Sequence, residues 1–528
     1  MSEFINRNLL LEIFRNLPRG FLNNNQELNK ILINDYVYEL DGLRVNLMSN
    51  WNELINKPRS LQRKFHMNSF VGDILGNVNG NSFEKVELAC NLCEHWANIF
   101  NYENSATQMA FHDETTARRV CFWLRIYIIS ILNSYENIYF RMELIIRREL
   151  NVLISDEFHA GLNNHGMFQK LTLLYLSVLG FCSKNVALDS VDFLMKYLSV
   201  KVSSDGVHLE HSPAYHYIIG AQYYNNLKII SEVSRQNASD ISNILKNMGR
   251  YAVDILMPNG EMPPIGDTSQ TKPANNFPIF FGIDKLKVAQ RKWSVFKDAG
   301  YAIFKSDIEY PSNCTYSYFS AGHHGEYHKH ADDLSLIIYR KGWIICESGP
   351  YGYEYSNMKT QMAYSNIGHN NVIFNKNLLT NRSQGVGAVS ILRNEEFIDF
   401  YRIEGENHRN KEGVHIRRVD YNKNGLEIKI SDYLKVIKSV DFAFIWHTPL
   451  MPIIRVDGND VVIDLEDKAK FEFYNSIDLN FRVIHGDEDP FYKSFFHKNM
   501  GLSEDCYGII IEGKVDLEFT LNCSILIY

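Results

Sequence analysis

Residues 257–276 read MPNGEMPPIGDTSQTKPANN, and the chain changes its period across them. From about residue 85 to about residue 256, apolar residues recur at three- and four-residue spacing. TTARRVCFWLRIYIISILNSY, MFQKLTLLYLSVLGF and SPAYHYIIGAQYYNNLKIISEV each read as one amphipathic or buried helix. Beyond the loop the apolar runs are short and alternate. YAIFKSD, CTYSYFSAG, LSLIIYRKGWIICESG, NNVIFN, GLEIKISDYL, DVVIDLED, KFEFYN and VDLEFTLNCSILIY read as strands, joined by turn pairs such as Lys341-Gly342 and Asn424-Gly425. Helices followed by strands, without βαβ alternation, predict an α+β multidomain chain. Its expected parts are an all-helical domain over 1–285 and an antiparallel β-sandwich over 286–528. A helical domain of antiparallel pairs with no clean repeat in sequence is compatible with an (α/α) toroid.

The length of 528 residues supports two domains, because one core stops growing well before that size. With 45% hydrophobic and 22% charged residues, the composition excludes a disordered or fibrous chain. A formal charge of -8, with basic and acidic residues interspersed, gives no reason to expect nucleic acid as a partner. No stretch reaches the roughly 18 uncharged apolar residues of a membrane span. The first twenty residues, MSEFINRNLLLEIFRNLPRG, lack the features of a signal peptide. A cytoplasmic location is therefore expected for a full-length chain, and a periplasmic or secreted one for a trimmed chain. Oligomeric state is left open. Eight cysteines lie mostly in apolar patterns and read as buried thiols; Cys90 and Cys93 make a single C-x-x-C with no second pair.

Polar chemistry gathers in three stretches. In GLNNHGMFQK, Asn164 and His165 stand just before an apolar helix, where unpaired amides and partial positive charge favour an anion. Read alone, the same residues are a helix cap and an exposed imidazole. In DGVHLEHSPAYHYIIG, Ser212 and Pro213 fit N-cap and N1, which places Tyr215 and His216 in the first helical turn among His208 and His211. In HHGEYHKHADD, residues 323–333, an extended start to the following strand would put His328 and His330 on one face. Glu347 and His369 bracket the next two strands. His330, Glu347 and His369 are thus candidates for two imidazoles and one carboxylate on a single structural divalent ion, zinc by chemistry. No organic cofactor is expected.

Taken together, NNHGMFQ, DGVHLEHSPAYHY, YHKHADDLSLIIYRKGWIICESGPYGY and GHNNVIF, with HDETTARR at 112–119, resemble the heparinase II/III-like polysaccharide lyases, a superfamily that includes alginate and oligoalginate lyases. The resemblance runs from about residue 110 to about residue 375. It implies an incomplete (α/α) toroid followed by an antiparallel β-sandwich, with β-elimination of an acidic polysaccharide in the cleft between them. By motif, Asn164 and His165 resemble the pair that meets the uronate carboxylate, Tyr215 the tyrosine base or acid, and His328 the histidine of the sandwich. His112, Arg118, Arg119, His211 and Tyr351 are the matching candidates for substrate contacts. His330, Glu347 and His369 resemble the metal site of some members, with Glu347 where Asp is commoner.

Elimination removes the proton at carbon 5 of a 4-linked uronic acid, which is too weakly acidic until the neighbouring carboxylate is neutralised. Positioned donors for that charge are worth about 3 kcal/mol each in the transition state. A base then takes the proton and an acid supplies one to the leaving oxygen. The same first step serves a uronosyl carbon-5 epimerase, and a glycan-binding relative without activity would keep the same fold. The motifs do not separate these readings.

Overall fold

The structure is a computed structural model that describes residues 6–21, 35–49, 51–76, 81–102, 109–275, 277–283, 290–380 and 385–528. The chain divides into two compact units. One comprises Met1–Ser199 with Asn225–Ile241, the other Val200–Tyr224 with Ser242–Tyr528. The boundary expected at 285/286 lies outside the described residues.

The first unit is helical. Its Asp113–Leu132 helix is buried without interruption from Arg119 to Ser130, as expected of a largely apolar helix covered on every face. Glu136–Leu153 is amphipathic instead, and buries Ile138, Met142, Ile146, Leu150 and Leu153 at helical spacing. One charge pair is buried between these two helices. The Arg119 guanidinium meets the Glu149 carboxylate at 2.5 Å, donates to the carbonyls of Ala110 and His66, and lies 4.0 Å over the Trp96 ring. Both side chains are fully buried, so each depends on the other to offset desolvation. Cys90 and Cys93 sit fully buried in the Phe83–Ile99 helix, and all eight cysteines are free thiols.

The second unit contains an eight-stranded, a four-stranded and a five-stranded sheet, all with antiparallel pairing. Strand Phe400–Asn407 alternates half-buried and buried positions, the signature of a sheet with one covered face. Tyr301–Lys305 and Tyr316–Ser320 are buried at every position, and so have both faces covered. The common core takes Ile403, Val419 and Phe471 from the eight-stranded sheet, Phe374, Phe444 and Ile509 from the four-stranded sheet, and Phe304, Phe319 and Leu336 from the five-stranded one. Each such side chain contributes roughly 1.5–3 kcal/mol on burial. Against the other face of the five-stranded sheet, Tyr251 packs on Phe296 and Tyr301, and the Tyr316 hydroxyl donates to the Ile255 carbonyl. Helices first and an antiparallel sandwich second is the order read from the sequence. The two turn pairs also stand, with Lys341, Gly342 and Gly425 at positive φ.

One local expectation is corrected. The segment ahead of strand Leu336–Tyr339 is irregular, not extended, and His328 adopts φ +56°. Lys329 helps to hold the segment folded back. Its ammonium is buried and pairs with Asp332 and Asp333, three and four residues on, which only a folded-back chain allows. Arg409 completes this network at Asp333.

Candidate active site

In the helical unit, two helix starts build one polar cluster. Asn163, not Asn164, caps helix Asn164–Val178, its side chain accepting from the Gly166 amide at 3.0 Å. Asn164 and His165 are therefore the first two helical residues, half-buried, at the positive end of the helix. His112 precedes helix Asp113–Leu132, so Asp113 and Glu114 occupy its first turn. The Asp113 carboxylate lies 2.8 Å from His112 Nδ1 and 3.0 Å from His165 Nδ1, and Glu114 lies 3.5 Å from His165 Nε2. Burial pushes the Asp113 carboxyl up, but the two imidazoles outweigh it and hold the group well below the ordinary carboxylate range. Glu114 is likewise lowered, by Arg118 and Arg63 against the effect of burial.

The adjacent arginines divide as helix geometry requires. Arg118 is half-buried, 3.7 Å over the Phe168 ring and 3.5 Å from Glu114. Arg119 is committed to Glu149 in the core, which corrects its assignment as a substrate contact.

The second unit holds the tyrosine and the sandwich histidine. Pro213 begins helix Pro213–Val233, and the Ala214 amide is capped by the Thr268 hydroxyl at 3.1 Å, with Ser212 bonded to the same hydroxyl at 2.7 Å. Two turns of sequence with no helical character of their own thus set the position of Tyr215. Its ring stacks on His328, with centroids 3.5 Å apart and planes at 21°. His328 Nδ1 is 2.7 Å from Asp267 Oδ2, and its Nε2 is 3.6 Å from Glu210 Oε2. The Asp267 carboxylate also takes His330 Nε2 at 3.1 Å and the Tyr364 hydroxyl at 2.9 and 3.0 Å to its two oxygens. Burial alone would raise the Asp267 carboxyl, yet His328 and His330 hold it well below the ordinary range. As an anion it only accepts, so His328 donates from Nδ1 and His330 from Nε2. Tyr353 hydrogen-bonds Tyr215, and its own hydroxyl is pushed up by burial and by the Asp267 charge.

Three other candidates are placed elsewhere. His211 is buried, its Nε2 accepting from the His324 amide at 3.0 Å and its Nδ1 bonded to the Tyr301 hydroxyl at 2.8 Å. Burial, with Lys329 and His324 nearby, lowers it well below the usual imidazole value. A neutral histidine with both nitrogens engaged neither supplies positive charge nor reaches a substrate, and its expected role is corrected accordingly. Tyr351 packs its ring on His497, while Tyr353, two residues on, is the tyrosine that joins Tyr215.

The metal triplet is the third case. Glu347 and His369 do meet, at 2.9 Å, but as a hydrogen-bonded pair, with His369 Nε2 on the Ala363 carbonyl and Ser335 donating to the same Glu347 oxygen. Two acceptors on one ring require both nitrogens to carry protons. Burial opposes this, but Glu347 outweighs it and raises His369 above its usual value. His330 is turned to Asp267 through Nε2, leaving its buried Nδ1 unpartnered. The three therefore do not fit a metal ion as they stand. Among the described residues, the set whose ligand atoms lie within 4.8 Å of one another is His112, Asp113 and His165, a His/Asp group that could hold a metal.

Sequence reasoning missed Asp267, Glu210, Tyr353 and Tyr364. The one signal for Asp267 was Gly266 before it in a proline-rich loop. Gly266 has φ +50°, and a Cβ there would fall 2.5 Å from the His211 carbonyl oxygen and 2.7 Å from that of His328.

Comparison with known proteins now decides the family. The profile of heparinase II/III-like C-terminal domains matches residues 289–489, and that of heparinase II/III N-termini matches residues 182–280. The chain belongs to the heparinase II/III-like superfamily. Among solved structures, this heparinase II/III-like chain is similar to that of a heparinase III, with TM-score 0.76 and 14% identity over 99% of this chain and 89% of that one. It is also similar to the heparan sulfate lyase HepC from Pedobacter heparinus, with TM-score 0.65 and 13% identity over 96% and 84%. At such identities the likeness concerns the fold. No curated protein matches by sequence. Among the described residues, no helix is long and apolar enough to cross a membrane.

Proposed function

We propose that this heparinase II/III-like chain is a polysaccharide lyase that cleaves a uronic-acid-containing glycan by β-elimination. The observation that carries the proposal is the face-to-face pair of Tyr215 and His328, with His328 anchored on a buried carboxylate. Asn164 and His165, at a helix start, donate to the uronate carboxylate as negative charge spreads into it. The Tyr215 hydroxyl proton passes first to His328 Nε2, and the phenolate oxygen then takes the proton from carbon 5. The bond from carbon 4 to oxygen 4 then breaks as the double bond between carbons 4 and 5 forms. Oxygen 4 leaves with a proton delivered by Tyr215 or His328. No water nucleophile and no redox partner enter the balance.

The similar structures are those of a heparinase III and a heparan sulfate lyase, and the substrate class proposed here is the broader one of acidic glycans containing 4-linked uronic acid. The test is a panel of heparan-type, hyaluronan-like, alginate-type and bacterial capsular glycans, read by the ultraviolet absorbance of the conjugated unsaturated uronate. Absorbance on at least one glycan supports the lyase. Deuterium entering carbon 5 from solvent with no absorbance identifies an epimerase instead, and binding without either identifies a glycan-binding protein. The zinc reading is tested by elemental analysis. To hold zinc, His369 would have to give up a proton and one of its two hydrogen bonds.

A further inference from the structure

We propose that Asp267 is the positioning residue of the proton-transfer pair, holding His328 flat against Tyr215 through Nδ1 while Tyr364 and His330 hold Asp267. The inference rests on the assignment of Tyr215 and His328 made above. Three observations support it.

The first is the number of donors. A buried carboxylate needs partners for its lone pairs, and the Asp267 side chain is 3% exposed. His328, His330 and the Tyr364 hydroxyl all donate to it, the hydroxyl spanning both oxygens. A carboxylate held at both oxygens has one orientation, and the ring it holds has one as well.

The second is backbone strain. His211, Gly266 and His328 all adopt left-handed φ, at +57°, +50° and +56°. They meet at one point, since the Gly266 Cα faces the carbonyls of the other two. Left-handed non-glycine residues cost energy and persist where surrounding contacts hold them. Here the contact on His328 is the Asp267 hydrogen bond.

The third is economy of the ring's atoms. With Nδ1 spent on Asp267, proton transfer falls to Nε2, which has the Glu210 carboxylate 3.6 Å away, and the orientation of the ring decides where it points.

The test is a double-mutant cycle. Asp267→Asn keeps the shape of the side chain but leaves one acceptor oxygen for three donors, so His328 Nδ1–H must compete for it with His330 and Tyr364. Turnover at saturating glycan should fall about 10²-fold or more, with KM nearly unchanged. In a His328→Ala background, where residual turnover is read, the same substitution should cost less than about threefold. Equal losses in both backgrounds would show that Asp267 only supports the fold, and would overturn the proposal. Where Asp267→Asn fails to fold, Tyr364→Phe takes its place in the cycle, with an expected loss of about tenfold and the same criterion. A second readout needs no activity: in a crystal structure of Asp267→Asn, the His328 ring should leave its stack on Tyr215, and a ring still in place would overturn the proposal. Wild-type turnover in His328→Ala would instead sink the proton-transfer assignment itself, an outcome the crystal structure distinguishes from failure of the positioning role.

Discussion

Asp113 in the helical unit and Asp267 in the second unit are each shared between two histidines, at 2.8 and 3.0 Å in one case and 2.7 and 3.1 Å in the other. Their surroundings differ. The Asp113 side chain is 28% exposed, and its partners are the next-door His112 and a residue of a second helix start. Asp267 is sealed, and its partners come from residues 328, 330 and 364. An open cluster of this kind can exchange one protein partner for a substrate group at little cost, whereas a sealed one cannot. Under the proposed mechanism, recognition of charge falls to the helical cluster and the geometry of proton transfer to the sealed one.

The largest expected effect lies beside the sealed cluster. Tyr215→Phe should reduce turnover by about 10³-fold or more while glycan affinity by calorimetry stays within a few-fold; retained turnover would remove the tyrosine from proton transfer. Asp267→Ala strips one partner from three buried donors and should destabilise the protein by about 3–5 kcal/mol in denaturant melts. A loss near that for Asp113→Ala would erase the contrast.

Removing a donor from the open cluster should slow the chemistry without unfolding anything. For Asn164→Ala the expectation is a loss of about 10²-fold in kcat and an unchanged Tm. A change in KM alone would mean that Asn164 binds ground state and transition state equally.

A fourth prediction concerns pH. Asp432 is buried between Arg417 and His415, both at 2.7 Å. Burial raises its carboxyl, but Arg417 first and His415 next outweigh that and depress it. A depressed carboxyl contributes stability that is full above the ordinary carboxylate pKa and is lost as pH falls through the lower, folded value. Asp432→Asn should therefore lower Tm at neutral pH and flatten the acid limb of the Tm profile. An acid limb as steep as wild type would assign acid sensitivity to other carboxylates. The smallest effect is expected for Asp113→Ala, at most about 1 kcal/mol of stability, as for other partly exposed ion pairs.

Much of this was legible beforehand. Helix Asp113–Leu132 and strand Glu427–Val436 announce themselves because local apolar spacing reports directly which faces are covered. Tyr215 and His328 could be singled out because each lies in a dense polar stretch beside a helix start or a strand. The role of Arg119 was not legible, since adjacent arginines look alike until one is seen against Glu149. His211 was misread for a related reason: a histidine shows whether its nitrogens are free only when its partners, the Tyr301 hydroxyl and the His324 amide, are in view.

The sequence by itself determined the order of helices and strands, the family, and the short list of groups with suitable chemistry, because periodicity and residue type are local properties of the chain. Only the tertiary structure decided which carboxylate each histidine answers to, brought Tyr353 to Tyr215 while seating the substrate-contact candidate Tyr351 on His497, and closed His369 on Glu347 instead of leaving it open as a ligand. Those outcomes depend on hydrogen bonds of about 3 Å between residues tens of positions apart, and on the desolvation that accompanies them, neither of which local spacing encodes.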